Sequence, residues 1–254
     1  MALLRAMTFN VRYGTADDGP NRWESRRGFA RAILERHRPD LVGLQEALGF
    51  QIDELAAVGY VPVGGGRDDG EAAGEHCAIL YDPVRLRLLR ADTFWLSATP
   101  MLIGTMHPQT RHARICTWAS FFDRQSGGGF VHFNLHLDHE SQEARESGLD
   151  EILRRLPDAP VVVTGDFNAG ESNPVHDSWR AAGLRDTYRV VHPEGPEPVS
   201  FNGWADVATG EKIDYILVDA ATQVEEAAIL DDRFEGRWPS DHMPVVAAID
   251  FRRS

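Results

Sequence analysis

The feature of this sequence that most constrains its fold is a series of short apolar runs, each bounded by turn-forming residues. The run Val161–Thr164 is the clearest, because it leads directly into the turn Gly165–Asn168. Runs of this length between turn signals are typical of buried β-strands. On this pattern, strands are predicted at LLRAMTFN, LVGLQEA, HCAILYD, LRLLRADTFWLS, RICTWASFFD, GFVHFNLHLDH, PVVVTGDFN, KIDYILVD, VEEAAILDD and HMPVVAAIDF.

Other segments have helical spacing. Apolar residues at 29, 30, 33 and 34 form one stripe and predict a helix over residues 24–37. Further helices are predicted at residues 50–60, at 140–156 and around Trp179. Because strands outnumber helices and follow one another through both hairpins and helices, the pattern predicts an α/β (α+β) fold of mixed sheets with helices outside. No Pro/Ser-rich linker divides the chain, so residues 1–254 are expected to form a single domain.

Composition narrows the possible partners. The formal net charge is −13, which argues against a broad basic face for gripping nucleic acid. The arginines of RRGFARAILERHR are expected to form a solvated helix face. No signal peptide or membrane-spanning run is evident, so a cytoplasmic monomer without a membrane span is expected. The two cysteines, Cys77 and Cys116, lie in apolar runs and are predicted to be buried free thiols.

Several polar residues lie at or just beyond the ends of the apolar runs. The turn after Val161–Thr164 carries Asp166 and Asn168, which alone are typical of an ordinary turn. However, similar residues border other runs, and side chains at strand ends are held rigidly while the adjacent loops leave them accessible. The residues that share this placement are Asn10, Glu46, His136, Asp138, Asp166, Asn168, Asp214, Asp241 and His242.

The chemistry of this set favours a phosphate-handling site. Asn10, Glu46, Asp166 and Asp241 are the hard oxygen ligands that Mg²⁺ prefers, alongside water and substrate phosphate. His136 and His242 can shuttle or stabilise charge near neutral pH. A carboxylate such as Asp214 can hold a histidine ring in one tautomer, and Arg114 can donate two hydrogen bonds to a phosphate.

Seven motifs occur in an order that resembles the endonuclease/exonuclease/phosphatase superfamily, which includes DNase I-like nucleases, abasic-site endonucleases, inositol-phosphate phosphatases, deadenylases and sphingomyelinases. Together the motifs extend over nearly the whole chain, and TFWLS with HLDH resembles a bacterial branch of the family. The resemblance implies a four-layered sandwich of two β-sheets packed face to face, with helices on both outer sides. The motifs are TFNVRYG, LVGLQE, GEHCAILY, HLDH, TGDFN, IDYILV and SDHMPV.

The resemblance also implies catalytic and metal-binding roles. Asn10 and Glu46 would hold Mg²⁺ or Mn²⁺, with Asp241 nearby. Asp166 would orient or deprotonate the attacking water, helped by Asn168. His242, oriented by Asp214, would act at the phosphoryl group as a base or a charge stabiliser, and His136 would bond a phosphate oxygen.

Substrate contacts are implied at Arg114, at Arg12 and at Glu75, which would brace His136. Asn202 and Trp204 are further predicted substrate contacts; Asn202 of VSFNGW stands where relatives often have His, and it can donate a hydrogen bond but cannot carry charge. Asp138 and His139 are left open between supporting and substrate-facing roles. The buried-strand residue His132 is expected to be structural.

The sequence therefore predicts a Mg²⁺- or Mn²⁺-dependent phosphoric ester hydrolase that uses an activated water. Its substrate would be a phosphorylated small molecule or nucleic acid, with a phosphodiester preferred. Two alternatives remain open: a phosphomonoesterase acting on sugar or inositol phosphates, and a non-catalytic binding module that retains the fold.

Overall fold

The structure is a computed structural model, and it describes residues 3–251. The helices in this range are α1 Trp23–His37, α2 Gly49–Ala56, α3 Gln142–Leu153, α4 Val175–Ala181 and α5 Thr187–Val191, with a 3₁₀ turn at Gly19–Asn21. The strands are β1 Leu4–Asn10, β2 Leu41–Gln45, β3 Val61–Val63, β4 Ile79–Tyr81, β5 Leu86–Trp95, β6 Ile115–Asp123, β7 Gly129–His136, β8 Val161–Asp166, β9 Leu184–Asp186, β10 Asp214–Asp219, β11 Gln223–Ile229 and β12 Val245–Asp250.

The strands form two six-stranded sheets, in the orders β11-β12-β1-β2-β4-β3 and β5-β6-β7-β8-β10-β9. Each sheet has one parallel pair at its centre, β1 with β2 and β7 with β8, and antiparallel pairs elsewhere. Parallel neighbours need a crossover connection; helix α1 provides it in the first sheet and α3 in the second. Each strand of the two parallel pairs is followed by a loop at its carboxyl end.

The two sheets pack face to face through apolar side chains such as Ile79, Phe121, Val162, Ile216 and Val245. Helices α1 and α2 cover the outer face of the first sheet, and α3 and α4 cover the outer face of the second. The predicted fold of two sheets between two helical layers is confirmed.

A polar layer interrupts the apolar interior between the sheets. The side-chain amide of Asn134, on β7, donates across the gap to the carbonyls of Leu44 (2.8 Å) and Ala78 (3.0 Å) of the first sheet. Its Oδ1 accepts from Gln45 Nε2 (2.7 Å) and Thr164 Oγ1 (3.0 Å). Because a buried polar group is costly unless it is paired, these bonds fix how one sheet lies over the other.

The approach of the sheets at this layer depends on Gly43. A Cβ built there would lie 2.1 Å from Thr164 Oγ1 and 2.4 Å from Asn134 Oδ1. Any larger side chain would push the sheets apart and break the polar layer.

The helices show how closely the sequence pattern anticipated local structure. The predicted helix over 24–37 is observed as α1, which ends where Arg38 turns left-handed and its N–H bonds to Leu34 O. The helix predicted at 140–156 is shorter, because α3 begins after Ser141 accepts a hydrogen bond from the Ala144 N–H.

Some short elements and one burial prediction were missed. The pattern did not predict β3, β9 or α5, which have three to five residues each. Within RRGFARAILERHR, the prediction of solvated arginines is wrong for Arg26, which is buried because its guanidinium bonds main-chain carbonyls. Cys77 and Cys116 are free and buried, as predicted. Across residues 3–251, the helices lack the length and apolar character needed to cross a membrane.

His132 joins the polar layer as a neutral side chain. The Thr164 hydroxyl donates to Asn134, so its oxygen accepts from His132 Nε2 at 2.7 Å. His132 Nδ1 is buried without a hydrogen-bond partner among the described residues. A second ring proton would have no acceptor, and burial lowers the pKa of His132 to about 3.

This burial predicts a pH-dependent stability term. Between the unfolded pKa of about 6.5 and the folded value of about 3, the unfolded state binds the proton and the native state does not. Stability is therefore expected to fall as pH drops through that window, by up to about 1.4 kcal/mol per pH unit. We expect His132→Gln to remove this slope, as measured by urea unfolding between pH 7 and pH 4. The matched His192→Gln, at an exposed histidine, should leave the slope unchanged; equal slopes for wild type and His132→Gln would contradict the assignment.

Candidate active site

The central parallel pairs of the two sheets end at the same edge of the molecule. Asn10 ends β1 and Glu46 follows β2 in the first sheet, while His136 ends β7 and Asp166 ends β8 in the second. The register places Asn10 beside Gln45 and His136 beside Asp166. The side-chain amide of Asn10 then bridges the sheets, donating to Asp166 Oδ2 at 2.9 Å and to Glu46 Oε1 at 3.1 Å.

The remaining polar groups enter from antiparallel neighbours. Asp214 opens β10 directly opposite Asp166. Asp241 and His242 come just before β12, which pairs with β1. An antiparallel strand starts where its neighbour ends, so residues at its amino end reach the same edge as Asn10 and Asp166.

These side chains surround one open cavity of about 620 Å³. Six residues predicted as catalytic or metal-binding line it, namely Glu46, His136, Asp166, Asn168, Asp241 and His242. The predicted substrate contacts Arg12, Glu75 and Arg114 also line it. Asn10 and Asp214 are fully buried beneath this surface, and each is hydrogen-bonded to a residue that lines the cavity, Asn10 to Asp166 and Asp214 to His242.

Three residues of the site have left-handed backbone conformations. The φ angles are 55° at Arg12, 59° at Glu46 and 48° at Asn168. Side chains other than glycine rarely adopt this region, and when they do the surroundings must hold them there. Each of the three follows a strand within two residues, so the turn sends the chain away from the sheet while keeping the side chain over the cavity.

The acidic side of the cavity is built around Glu46. Its Oε2 accepts from the main-chain N–H of Tyr13 at 3.1 Å. The Arg12 guanidinium lies 3.9 Å from Glu46 Oε2 and 3.7 Å from Asp241 Oδ2, and it forms a two-point ion pair with Asp18. Burial raises the pKa of Asp241, and nearby Glu46 adds to the rise. This side therefore carries more carboxylate charge than Arg12 neutralises.

On the other side, His242 is held by a buried carboxylate. His242 Nδ1 bonds Asp214 Oδ2 at 2.9 Å, and the same oxygen accepts from the Ser200 hydroxyl at 2.7 Å. Burial is the largest single influence and opposes the charged ring, but the charge and hydrogen bond of Asp214, together with the Asp166 and Asp241 charges, raise the pKa of His242 to about 10. His242 is therefore a cation at neutral pH, with Nε2 3.8 Å from Asp166 Oδ2.

Asp166 is the group whose charge is most finely balanced. Burial and the neighbouring Asp214 carboxylate raise its pKa to about 7, against the opposing pull of His242. Its Oδ1 accepts from the main-chain N–H of Asn168 at 2.8 Å. A carboxyl group poised near neutral pH in an open cleft is suited to proton transfer.

His136 is neutral by contrast. Burial, with the Arg114 and His242 charges, keeps the pKa of His136 well below its ordinary value. The Asn168 side-chain amide donates to His136 Nε2 at 3.0 Å and to the Leu137 carbonyl at 3.1 Å. The Nε2 atom is thus the acceptor, so a proton on this ring lies on Nδ1.

Arg114 brings positive charge to the far wall of the cavity. Its Nε lies 3.5 Å from Asp138 Oδ2, and its Nη2 donates to His139 Nδ1 at 2.8 Å. Asp138 is buried and caps the turn before α3 through Glu140 and Ser141. Of the two residues left open by the sequence, Asp138 supports Arg114, while His139 faces the cavity.

Two predicted substrate contacts do not line the cavity. Asn202 is buried and donates to the Ser240 carbonyl at 3.1 Å, and its Oδ1 accepts from the Trp204 N–H. The Trp204 ring lies over the Arg26 guanidinium, 5.4 Å from its carbon. Their roles at the substrate stay predictions, and the arrangement here makes them part of the wall behind the site.

The sequence pattern missed several residues that do line the cavity. Phe201 stacks edge-on against His242, with ring centroids 4.9 Å apart, and is 38% exposed. Arg67 and His112 come from loops, and Arg67 pairs with Glu75 at 2.8 Å. Phe201 is placed there by its bridge to His242 and by the bond from its N–H to the Glu211 carbonyl, both with residues distant in the sequence.

The donor set fits a divalent cation. Glu46, Asp166 and Asp241 offer hard oxygen atoms, the type that Mg²⁺ and Mn²⁺ bind, while the Asn10 side-chain oxygen accepts from the Arg12 N–H at 3.0 Å. One ligand atom from each of Asp166, Asp214 and His242 also lies within 4.8 Å of the others. Since His242 and Asp214 already bond each other, the oxygen-rich side near Glu46 suits a hard cation better.

Comparison with known proteins identifies the class. The model of the Endonuclease/Exonuclease/phosphatase family matches residues 7–242, and this chain belongs to that family. Members of the family are hydrolases acting on phosphoester bonds. The predicted recognition, made from seven motifs, is confirmed.

Individual proteins are similar to this chain in fold or in sequence. An endonuclease/exonuclease/phosphatase structure from Bacteroides vulgatus is 31% identical, with a TM-score of 0.91, covering 99% of this chain and 100% of that one. A mannosyl-6-phosphatase from Bacteroides thetaiotaomicron is 29% identical, with a TM-score of 0.89, covering 98% of this chain and 100% of that one. Nocturnin from Rattus norvegicus is 23% identical over 91% of this chain and 59% of its own length. The chain spans about 60% of the length of the first curated relatives that it matches.

The pairing of His242 with Asp214 is directly testable. If Asp214 is the main group that keeps the buried ring charged, Asp214→Asn should lower the His242 pKa clearly from about 10, because burial opposes the charge and only Asp166 and Asp241 would still favour it. Titration of the ring signals by NMR in metal-free protein measures this. A His242 pKa that stays near 10 in the variant would mean that another group holds the charge.

Proposed function

We propose that this chain is a divalent-cation-dependent phosphoric ester hydrolase in which water attacks phosphorus directly. The observation that carries the proposal is that three features meet in one cavity. They are the Asp166 carboxyl group with a pKa near 7, the buried and charged His242 ring, and the wall that contains Glu46 and Asp241. Both pKa values are raised, so near neutral pH Asp166 can take up a proton beside a His242 ring that stays charged.

In this proposal Asp166 accepts a proton from the attacking water. Its pKa near 7 leaves a useful fraction ionised at neutral pH and still basic enough to take the proton. The Asn168 N–H and the Asn10 amide fix the two carboxylate oxygens, so the direction in which Asp166 accepts is set before substrate arrives.

His242 is assigned as the charge stabiliser rather than the base. A ring held protonated by Asp214 can donate from Nε2 to a phosphoryl oxygen as negative charge develops, but it cannot take up a further proton. Arg114 would contribute charge from the opposite wall. Fixed donors aimed at developing charge account for much of catalysis in phosphoryl transfer.

The cation is assigned to Asn10, Glu46 and Asp241, with Mg²⁺ or Mn²⁺ as the candidates. When bound, it would polarise a phosphoryl oxygen and offset the carboxylate charge of that wall. The support lies in the oxygen donors and in the surplus of acidic groups over Arg12.

For the ester class, two observations favour a phosphomonoester of a hydroxyl-rich small molecule over the phosphodiester that the sequence predicts. A relative that covers 98% of this chain is a mannosyl-6-phosphatase. The cavity walls also include Glu75 and Glu211, which can accept hydrogen bonds from hydroxyls and would repel the further phosphates of a nucleic acid. A small phosphodiester is the second candidate.

A non-catalytic binding module remains the alternative from another class. It would need neither the His242–Asp214 pair nor a carboxyl group poised near pH 7, and both are present. A panel of phosphate mono- and diesters with Mg²⁺, Mn²⁺ and Ca²⁺ tests the proposal. Hydrolysis of none of them would leave the binding module as the better account.

The metal assignment predicts a specific effect at Glu46. Glu46→Gln keeps the size of the side chain but removes the charge on which Mg²⁺ coordination depends. We expect the Mg²⁺ concentration for half-maximal activity to rise by about 10-fold or more, with the melting temperature nearly unchanged. The control is Glu35→Gln, which removes an exposed surface carboxylate. An unchanged half-saturating concentration would show that Glu46 is not a ligand.

The acid–base assignment predicts large rate losses. Because positioned acid–base groups contribute about 10²–10⁴ in rate, Asp166→Asn and His242→Ala are each expected to lower kcat by at least about 10². Groups that act on one step are not additive, so the double variant should be only slightly worse than the poorer single. Asp177→Asn, at an exposed carboxylate, is the matched control. A near-normal kcat in Asp166→Asn would show that Asp166 is not catalytic and that the turn at Gly165–Asn168 is only structural.

A further inference from the structure

Arg26 is a buried arginine in a helix whose other arginines face solvent. It is 1% exposed, whereas the Arg27 side chain beside it is 55% exposed. Its guanidinium carbon lies 4.9 Å from the Trp23 ring centroid and 5.4 Å from that of Trp204. Burying a charge is expensive unless it is well bonded, so the question is what this group holds.

All hydrogen bonds of the Arg26 guanidinium go to main-chain carbonyls. Nη1 donates to Val11 O at 2.7 Å and to Pro239 O at 3.1 Å, and Nη2 donates to Arg12 O at 2.9 Å. Nε donates to Asn21 O at 2.9 Å. Among the ion pairs found in residues 3–251, none includes Arg26. The N–H groups of its rigid, planar guanidinium therefore hold the main chain in place.

Three of those four carbonyls belong to the two segments that carry Asn10 and Asp241; the fourth, Asn21 O, lies in the 3₁₀ turn before α1. Val11 and Arg12 directly follow Asn10, and Pro239 lies two residues before Asp241. The Ser240 hydroxyl adds a bond to Asn10 O at 2.7 Å. Arg26 Nη1 thus links the chain just after Asn10 to the chain just before Asp241, although the two are more than two hundred residues apart in sequence.

The same contacts hold the left-handed turn at Arg12. With φ at 55°, the Arg12 carbonyl points inward and accepts from both Arg26 and Gln51 Nε2, the latter at 3.0 Å. This turn sends the Arg12 side chain to Asp241 and Glu46. If the carbonyl lost its donors, the strained turn would be free to relax, and the acidic wall would lose its shape.

We propose that Arg26 is a positioning residue that locks the Asn10 and Asp241 segments together and so sets the affinity of the acidic wall for a divalent cation. The proposal rests on the cation assignment made under the proposed function. Outer groups that orient metal ligands typically change metal affinity by about 10–100-fold when they are removed.

Two physical effects of Arg26 oppose each other, and this allows a sharp test. Its charge lies near Asp241 and Glu46 and, by repulsion alone, would weaken cation binding. Its hydrogen bonds orient the ligands and would strengthen it. Arg26→Lys keeps the charge but cannot reproduce the fork of bonds to separate carbonyls. Arg26→Gln removes the charge as well.

The experiment is Mn²⁺ binding to metal-free protein, followed by calorimetry and by electron paramagnetic resonance at a temperature where each variant is fully folded by circular dichroism. If positioning dominates, Arg26→Lys and Arg26→Gln should both weaken Mn²⁺ binding by about 10-fold or more. Arg27→Lys, at the exposed neighbour, should leave the affinity unchanged. A residue that only stabilised the fold would lower the melting temperature without moving the Mn²⁺ affinity.

The outcomes separate this proposal from the proposed function. Unchanged or tighter Mn²⁺ binding in Arg26→Lys, with normal binding by the wild type, would overturn the role of Arg26 and leave the hydrolase proposal standing. If the wild type bound no Mn²⁺ and cleaved none of the esters, both would fail. Should the Arg26 variants not fold, Trp204→Leu removes one ring from the guanidinium and should weaken Mn²⁺ binding to a smaller extent; unchanged affinity there would also count against the proposal.

Discussion

The Asn134 side chain ties together the two sheets whose edges carry the candidate site. It lies on one sheet, donates to two carbonyls of the other, and accepts from Gln45 and Thr164. Apolar packing alone has no direction, so two flat faces could slide over each other at little cost. Buried hydrogen bonds do have direction, and leaving them unmade is costly. The bond from Asn10 to Asp166 joins the same two sheets at the cavity and therefore depends on the same alignment.

The loops of the site contain strained backbone conformations next to the rigid sheets. The left-handed turns at Arg12, Glu46 and Asn168 each cost free energy that a loop elsewhere would not carry. Their positions immediately after buried strands explain why they persist, because the strand fixes the residue on one side and side-chain bonds fix it on the other. As a result, the ligand groups do not lie on a long, flexible loop, so substrate binding costs little conformational entropy.

The sequence predicted those parts of the site that follow from strand ends. Glu46 and Asp166 could be placed because each follows an apolar run, and both line the observed cavity. Phe201, Ser200 and Arg26 could not be placed, since their partners are a distant histidine, a buried carboxylate and main-chain carbonyls. Main-chain carbonyls are present at every residue and leave no mark in the sequence. The same limit explains why Arg26, in a helix rich in arginine, was expected to be solvated. The strands β3 and β9 were missed because three residues are too few to show a pattern.

The electrostatics of the cavity link its two halves. Asp166 and Asp241 are both pushed toward their neutral forms, first by burial and then by neighbouring carboxylates, Asp214 for one and Glu46 for the other. Positive charge placed between them would relieve the same repulsion and favour the ionised form of each. Cation binding and the basicity needed of Asp166 are therefore not independent properties. A cavity with fewer carboxylates would hold Asp166 ionised without help but would bind a cation less well, and one with more would keep Asp166 protonated at neutral pH. The pKa of Asp166, near 7, lies between these limits because the His242 charge and the hydrogen bonds from Asn168 and Asn10 oppose burial and the Asp214 charge.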